Sequence, residues 1–176
     1  EPEEHRVFRE ETAYMMSRIM EEVALGATSS VPTFGTAGNY GKLTNANGEV
    51  IQTSIKTGTT DNFVDQWIAG GTPYYTMGIW YGFDNQIKMT AIPEADQYTV
   101  VQIWYHIMRQ LHEGKASADW IQPPGIETRR ICAATGYLAN DSCIAGGYAI
   151  TEYYPSGSPL IPNELCPIHG YEAPPQ

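Results

Sequence analysis

The sequence predicts an α+β fold, an antiparallel sheet flanked by helices, and two observations carry that reading. Three stretches rich in β-branched and aromatic residues, 50–60, 63–70 and 74–84, follow one another with only short turns between them, which joins them as an antiparallel meander. On either side of that block, residues 13–24 and 100–111 place apolar side chains at three- and four-residue spacing, the mark of one-sided helices.

Taken in order, His5-Arg6-Val7-Phe8-Arg9 has the make-up of a short strand, and Glu10, Glu11 and Thr12 supply the acidic first turn that favours a helix start. Ala13, Met16, Ile19, Met20, Val23 and Ala24 then form the apolar stripe, a core-facing feature with no functional role, and Gly26 ends the helix. Residues 28–48 mix Ser, Thr, Asn, Gly and Pro without periodicity, so they read as a long connection, functional or mobile, closing on the turn Asn45-Ala46-Asn47-Gly48.

In the third strand, Tyr75, Met77, Ile79, Tyr81 and Phe83 share one face while Thr76, Gly78, Trp80 and Gly82 share the other, and both faces are apolar or small enough to predict cover on both sides. Val100, Ile103, Trp104, Ile107 and Leu111 make one helical stripe, with Gly114 as its stop, so residues 95–113 are expected as a helix laid on the sheet. His106 and His112, six apart, do not share a helical face and read as surface or boundary residues. From Trp120 onward Pro and Gly become frequent, and residues 127–133 and 148–154 look like an appended hairpin, which sets a boundary near Pro123: residues 1–122 as the main domain, 123–176 as a cysteine-bearing extension.

At 176 residues the chain is within the size of one domain, and its net charge of -10 argues against nucleic acid or an anionic membrane surface as a partner. No apolar run approaches the roughly 20 residues of a membrane-spanning helix, so an anchor or export signal is expected upstream. Three cysteines, all after position 130, fit neither a dense disulfide scaffold nor a Cys-x-x-Cys motif.

The candidate site is the run Lys56-Thr57-Gly58-Thr59 at the end of the first strand, where a fixed positive charge, short hydroxyls and a missing Cβ suit an anionic, peptide-like ligand. It is followed by Asp65-Gln66-Trp67-Ile68-Ala69-Gly70-Gly71-Thr72-Pro73 and Tyr75-Thr76-Met77-Gly78-Ile79-Trp80-Tyr81-Gly82-Phe83-Asp84-Asn85. That order resembles the last strands of the transpeptidase domain of penicillin-binding proteins, in particular the class A, bifunctional kind. The likeness reaches back to Glu11-Thr12-Ala13-Tyr14-Met15-Met16 and forward to Cys166-Pro167-Ile168-His169. It implies the penicillin-binding transpeptidase (serine β-lactamase-like) fold, incomplete in this chain, and a serine D,D-transpeptidase that cross-links peptidoglycan stem peptides ending in D-Ala-D-Ala and is acylated by β-lactams. It also implies the extracytoplasmic face of a bacterial membrane and no cofactor.

Carried over by residue, the resemblance makes Lys56 the source of positive potential and Thr57 and Thr59 the hydroxyls that bind the terminal carboxylate. The Thr59 N–H becomes an oxyanion donor, and Gly58 the place where the ligand comes close; Lys56 and Thr59 are the catalytic pair. On one pleated strand Lys56 and Thr57 point to opposite faces, so both serve one ligand only along a strand edge. The family's Ser-x-x-Lys and Ser-x-Asn runs do not occur in this sequence, so an upstream piece of the same protein is expected to carry the nucleophile. Trp67 and Trp80 read as core residues, and Asp61, Asp65 and Asp84 as turn residues. Cys143 and Cys166 are expected to form a disulfide with Cys132 free and no metal bound; the alternative is a tetrahedral zinc site completed by His169. Rival functions are a non-catalytic β-lactam sensor or wall-binding scaffold of the same fold, and a free-standing secreted interaction protein.

Overall fold

The computed structural model describes residues 3, 5–25, 35–37, 40, 42–92, 96 and 98–170. Gly26, and most of the connection 28–48 up to residue 41, lie outside the described residues. Contacts divide the chain into two compact units, one formed by Met16–Ile121, the other by Glu1–Met15 and Gln122–Gln176.

In the first of these units, β3 (Ser54–Thr59), β4 (Gln66–Gly71) and β5 (Thr76–Tyr81) form the antiparallel meander, in the order β3-β4-β5. Its register sets Lys56 opposite Ala69, Gly58 opposite Trp67, and Trp67 opposite Trp80, so these five residues share one face of the sheet. The opposite face carries Ile55, Ile68, Met77, Ile79 and Tyr81, and against it packs helix α2 (Thr99–Leu111) through Val100, Val101, Trp104 and Met108. The small hairpin of β1 (Leu43–Thr44) and β2 (Val50–Ile51) adds Leu43 and Ile51 to the same core, and helix α1 (Glu10–Leu25) adds Ala24.

Helix α2 starts where it does because buried Gln66 reaches up from β4. Its Oε1 accepts from Val100 N–H at 3.0 Å, and its Nε2 donates to Asp96 O at 2.6 Å, which satisfies backbone groups that a helix start leaves open. The helix ends at Leu111, and the turn that follows it closes on Gly114 at φ +78°, a conformation that glycine adopts without strain. His112, expected near the surface, is instead 1 % exposed. Its Nδ1 lies 2.7 Å from Met108 O and its Nε2 2.8 Å from the Thr72 hydroxyl in the β4 to β5 turn, so both ring nitrogens have polar partners inside the unit. His106 is exposed as expected.

The expectation that the sheet is covered on both faces does not hold within this unit. Trp67 and Trp80 are 52 % and 42 % exposed, not core residues, and their rings lean together at 6.4 Å on the face away from α2. Alternation correctly assigned residues to faces; it could not say which face has a layer on it.

Gly70 shows how tightly β3 and β4 approach. A Cβ there would run into Ser54 O and meet Ile55 Cγ2 at 2.5 Å and Ile55 Cα at 2.8 Å, two of the three being backbone atoms that cannot step aside. Gly70→Ala in the full-length protein is therefore expected to cost about 1–3 kcal/mol, read as a lower urea midpoint, and an unchanged midpoint would contradict this contact.

In the other unit, β6 (Ile126–Cys132) and β7 (Ala149–Pro155) make the expected hairpin, with Ile126 opposite Pro155 and Cys132 opposite Ala149. Tyr14 packs edge-on to Tyr153 at 5.4 Å. The residues 5–9, expected as a strand, are not in one. A short helix α3 (Asp141–Ala145) has no counterpart in the sequence reading; Asn140 caps it by accepting from Cys143 N–H, a signal that Asn-Asp-Ser carried all along.

Candidate functional site

Strand β3 is an edge strand of its sheet, since β4 is its sole strand partner among the described residues. The Thr60 N–H donates to Asp65 O at 3.1 Å, and hydrogen-bonded pairs alternate along an antiparallel ladder. Counting back by twos, Gly58 and Lys56 turn their backbone groups toward β4, and Thr57 and Thr59 turn theirs to the open edge. An extended ligand laid there would find an N–H and a C=O from each of two threonines.

The four residues occupy this edge in different ways. Lys56 is exposed on the open face, its Nζ donating to Thr57 O at 2.7 Å. Thr57 is half-buried on the side of α2, and its hydroxyl lies 2.6 Å from that of Thr36, a residue the sequence reading did not single out. Thr36 stands next to buried Ala37, whose place in the core brings this short piece of the 28–48 connection against β3. Gly58 has Trp67 Cβ at 3.4 Å from where its own Cβ would be, so added bulk would be tight there. Thr59 is exposed at the strand's end.

Beyond Thr59 the chain turns through Asp61–Phe63, where Asn62 and Phe63 take φ of +61° and +57°. Asp65 fastens this turn. Its carboxylate accepts from Thr60 Oγ1 at 3.3 Å and from Trp80 Nε1 at 3.1 Å, while its own N–H donates to Thr60 Oγ1. The aspartates expected as turn residues thus include one that also orients the exposed indole of Trp80 on β5.

The cysteines depart from expectation. No disulfide joins Cys143 to Cys166; all three cysteines are free and buried. Their sulfurs gather around His169, with Nδ1 at 3.3 Å from Cys132 Sγ and 3.4 Å from each of the other two. The four ligand atoms lie within 4.8 Å of one another. Burial works against a thiolate at Cys166, but hydrogen bonds from Thr135 and from the His169 and Ile168 N–H groups outweigh it and bring that thiol down to about 6. Burial also opposes ionisation of Cys132, where bonds from Thr135 and the Ala134 N–H prevail and lower it. Burial holds Cys143 up, whereas His169 is raised in spite of burial by the adjoining Cys132 and Cys166 sulfurs.

Among known proteins, residues 122–171 match the family described as penicillin-binding protein 1A, C-terminal domain. Over 93 % of its length the chain is 28 % identical to a penicillin-binding protein 1A of Clostridium tetani, covering 19 % of that protein. It is 30 % identical to the penicillin-binding protein 1A of Escherichia coli over 71 % of the chain and 16 % of the relative. The crystal structure of penicillin-binding protein 1A from Haemophilus influenzae superposes with a TM-score of 0.66 at 21 % identity, over 92 % of this chain and 22 % of that one, which shows a shared fold. The chain spans about a fifth of the length of the curated relatives it matches.

Proposed function

From a chain that belongs with the class A penicillin-binding proteins, as the C-terminal part of the transpeptidase region, we infer that it supplies one wall of a serine D,D-transpeptidase site. The observation that supports this is the open edge of β3, where Thr57 and Thr59 turn N–H and C=O outward beside the Lys56 ammonium. A stem peptide ending in D-Ala-D-Ala adds there as an extra strand, its terminal carboxylate drawn to Lys56 and the threonine hydroxyls. The serine that attacks the penultimate carbonyl, releasing the last D-Ala, comes from another part of the same protein. The acyl group of the resulting ester passes to an amine of a second stem peptide, forming the amide and freeing the serine hydroxyl, and the Thr59 N–H steadies the oxyanion formed in each step. A β-lactam takes the same place and leaves the ester in a form that persists. Residues 123–176 form an extension to this domain, and the site lies on the outer face of the cell membrane. Among the described residues no helix is long and apolar enough to cross a membrane.

The test uses the natural protein that carries this chain, treated with a fluorescent penicillin and, separately, with stem-peptide substrate. A label that survives denaturation, together with new peptide cross-links, is the expected result. Label without cross-linking would point to a β-lactam sensor, and neither would point to a wall-binding scaffold; both outcomes sink the transpeptidase reading.

A further inference from the structure

We propose that Cys132, Cys143, Cys166 and His169 bind a structural zinc ion that closes the unit formed around the β6 and β7 hairpin. Three sulfurs and one imidazole nitrogen facing a common point form a tetrahedral donor set of the type zinc prefers. With Zn–S of about 2.3 Å and Zn–N of about 2.0 Å, a tetrahedral site has S to N edges of about 3.5 Å, close to the three spacings of 3.3 to 3.4 Å found here. A disulfide between Cys143 and Cys166 gives no reason for His169 Nδ1 to stand at nearly the same distance from all three sulfurs.

The backbone is shaped for the same end. Cys132 closes β6 and begins a turn in which the Thr135 and Gly136 N–H groups donate to Cys132 O, with Gly136 at φ +76°. Cys166-Pro167-Ile168-His169 is a second short turn, and the two turns carry Cys132 and Cys166 to the same ring nitrogen. Asn140 ties the ligands together by bonding Cys143 N–H, Cys166 O and His169 O, while Tyr148 stacks on the His169 ring at 4.1 Å and fixes its plane.

Four protein donors leave no open position, so the ion would be structural and not catalytic. The need for it is legible in the packing. The cysteines form a buried cluster whose apolar neighbours are Ala139 and Ala149, too little surface to hold β6, α3 and the segment after residue 160 in place.

The test is elemental analysis of the purified chain with thiol titration before and after chelation. About one zinc per chain is expected, with thiols that react slowly until a chelator removes the metal and three that react promptly afterwards. A metal-free chain with one reactive thiol and a mass lower by two hydrogens would establish a disulfide among the three cysteines and overturn the proposal. So would a metal-free chain with three prompt thiols. His169→Ala is expected to weaken zinc at least about tenfold in competition with a chromogenic chelator, and unchanged affinity would remove the imidazole from the set. Should that variant fail to fold, the measurements on the unaltered chain decide alone.

Discussion

Lys56→Ala in the full-length enzyme is expected to slow acylation by penicillin roughly a hundredfold or more and to leave the fold largely unchanged. The two halves of that statement come from the same observation. Lys56 is exposed on the open sheet face opposite Ala69, with its Nζ on Thr57 O, so truncating it opens no cavity and orphans no buried group. Surface changes of that kind fall within about 0.5 kcal/mol. In a closed site, by contrast, one electrostatic contact to developing charge is worth about 3 kcal/mol, which is the stated loss in rate. Lys56→Arg keeps the charge and is expected to recover part of it. Stopped-flow acylation, with urea unfolding alongside, separates the two effects. Equal rates in wild type and Lys56→Ala would take Lys56 out of the site.

What could be read from the sequence follows from how local each signal is. The meander and both long helices were legible because β-branched runs and three- or four-residue spacing are properties of a dozen neighbouring residues. For 95–113, where Val100, Val101, Ile103 and Trp104 would also suit a strand, the spacing decided correctly, and α2 buries Val100, Trp104 and Met108. The exposed Trp67 and Trp80 were not legible, because period two sorts residues into faces without saying what covers either. His112 was missed because its burial depends on Thr72, forty residues away in sequence, which no helical wheel displays. Thr36 was missed for a related reason: its position rests on the burial of Ala37 in a stretch without periodicity.

The cysteines are the instructive failure. Their spacings of eleven, twenty-three and three residues match no common knuckle, and an exported protein meets oxidant before metal, so a Cys143 to Cys166 disulfide is what the sequence leads one to expect. The structure leaves all three thiols free and brings each to within 3.4 Å of the His169 ring, a convergence that depends on how the hairpin and the later turn fold together and that no count of intervening residues displays.

The 176-residue chain by itself is expected to form no covalent adduct with any β-lactam, although it carries the strand proposed above as the seat of such a ligand. Ester formation needs a serine whose proton passes to a neighbouring base, and three of the described serines, Ser54, Ser117 and Ser158, have their hydroxyls on backbone groups. Ser54, two residues before Lys56, is buried and donates its hydroxyl to Ser17 O at 2.6 Å. Residues two apart on a strand share a face with side chains about 6–7 Å apart, too far for direct proton transfer, and Lys56 Nζ is turned to Thr57 O. Ser117 donates to Val50 O at 2.6 Å, and Ser158 Oγ accepts from Leu160 N–H. None of these sits at the open edge of β3, where the carbonyl would have to be. The uncovered face bearing Trp67 and Trp80 fits the same conclusion, since it is the surface against which a nucleophile-bearing part of the protein would pack. Fluorescent penicillin followed by a denaturing gel reads the outcome directly. The 19.5 kDa band should stay dark when the chain is alone. When the rest of the protein is supplied as a separate piece, the label should run with that piece. Fluorescence in the 19.5 kDa band would mean that one of these serines is the nucleophile after all.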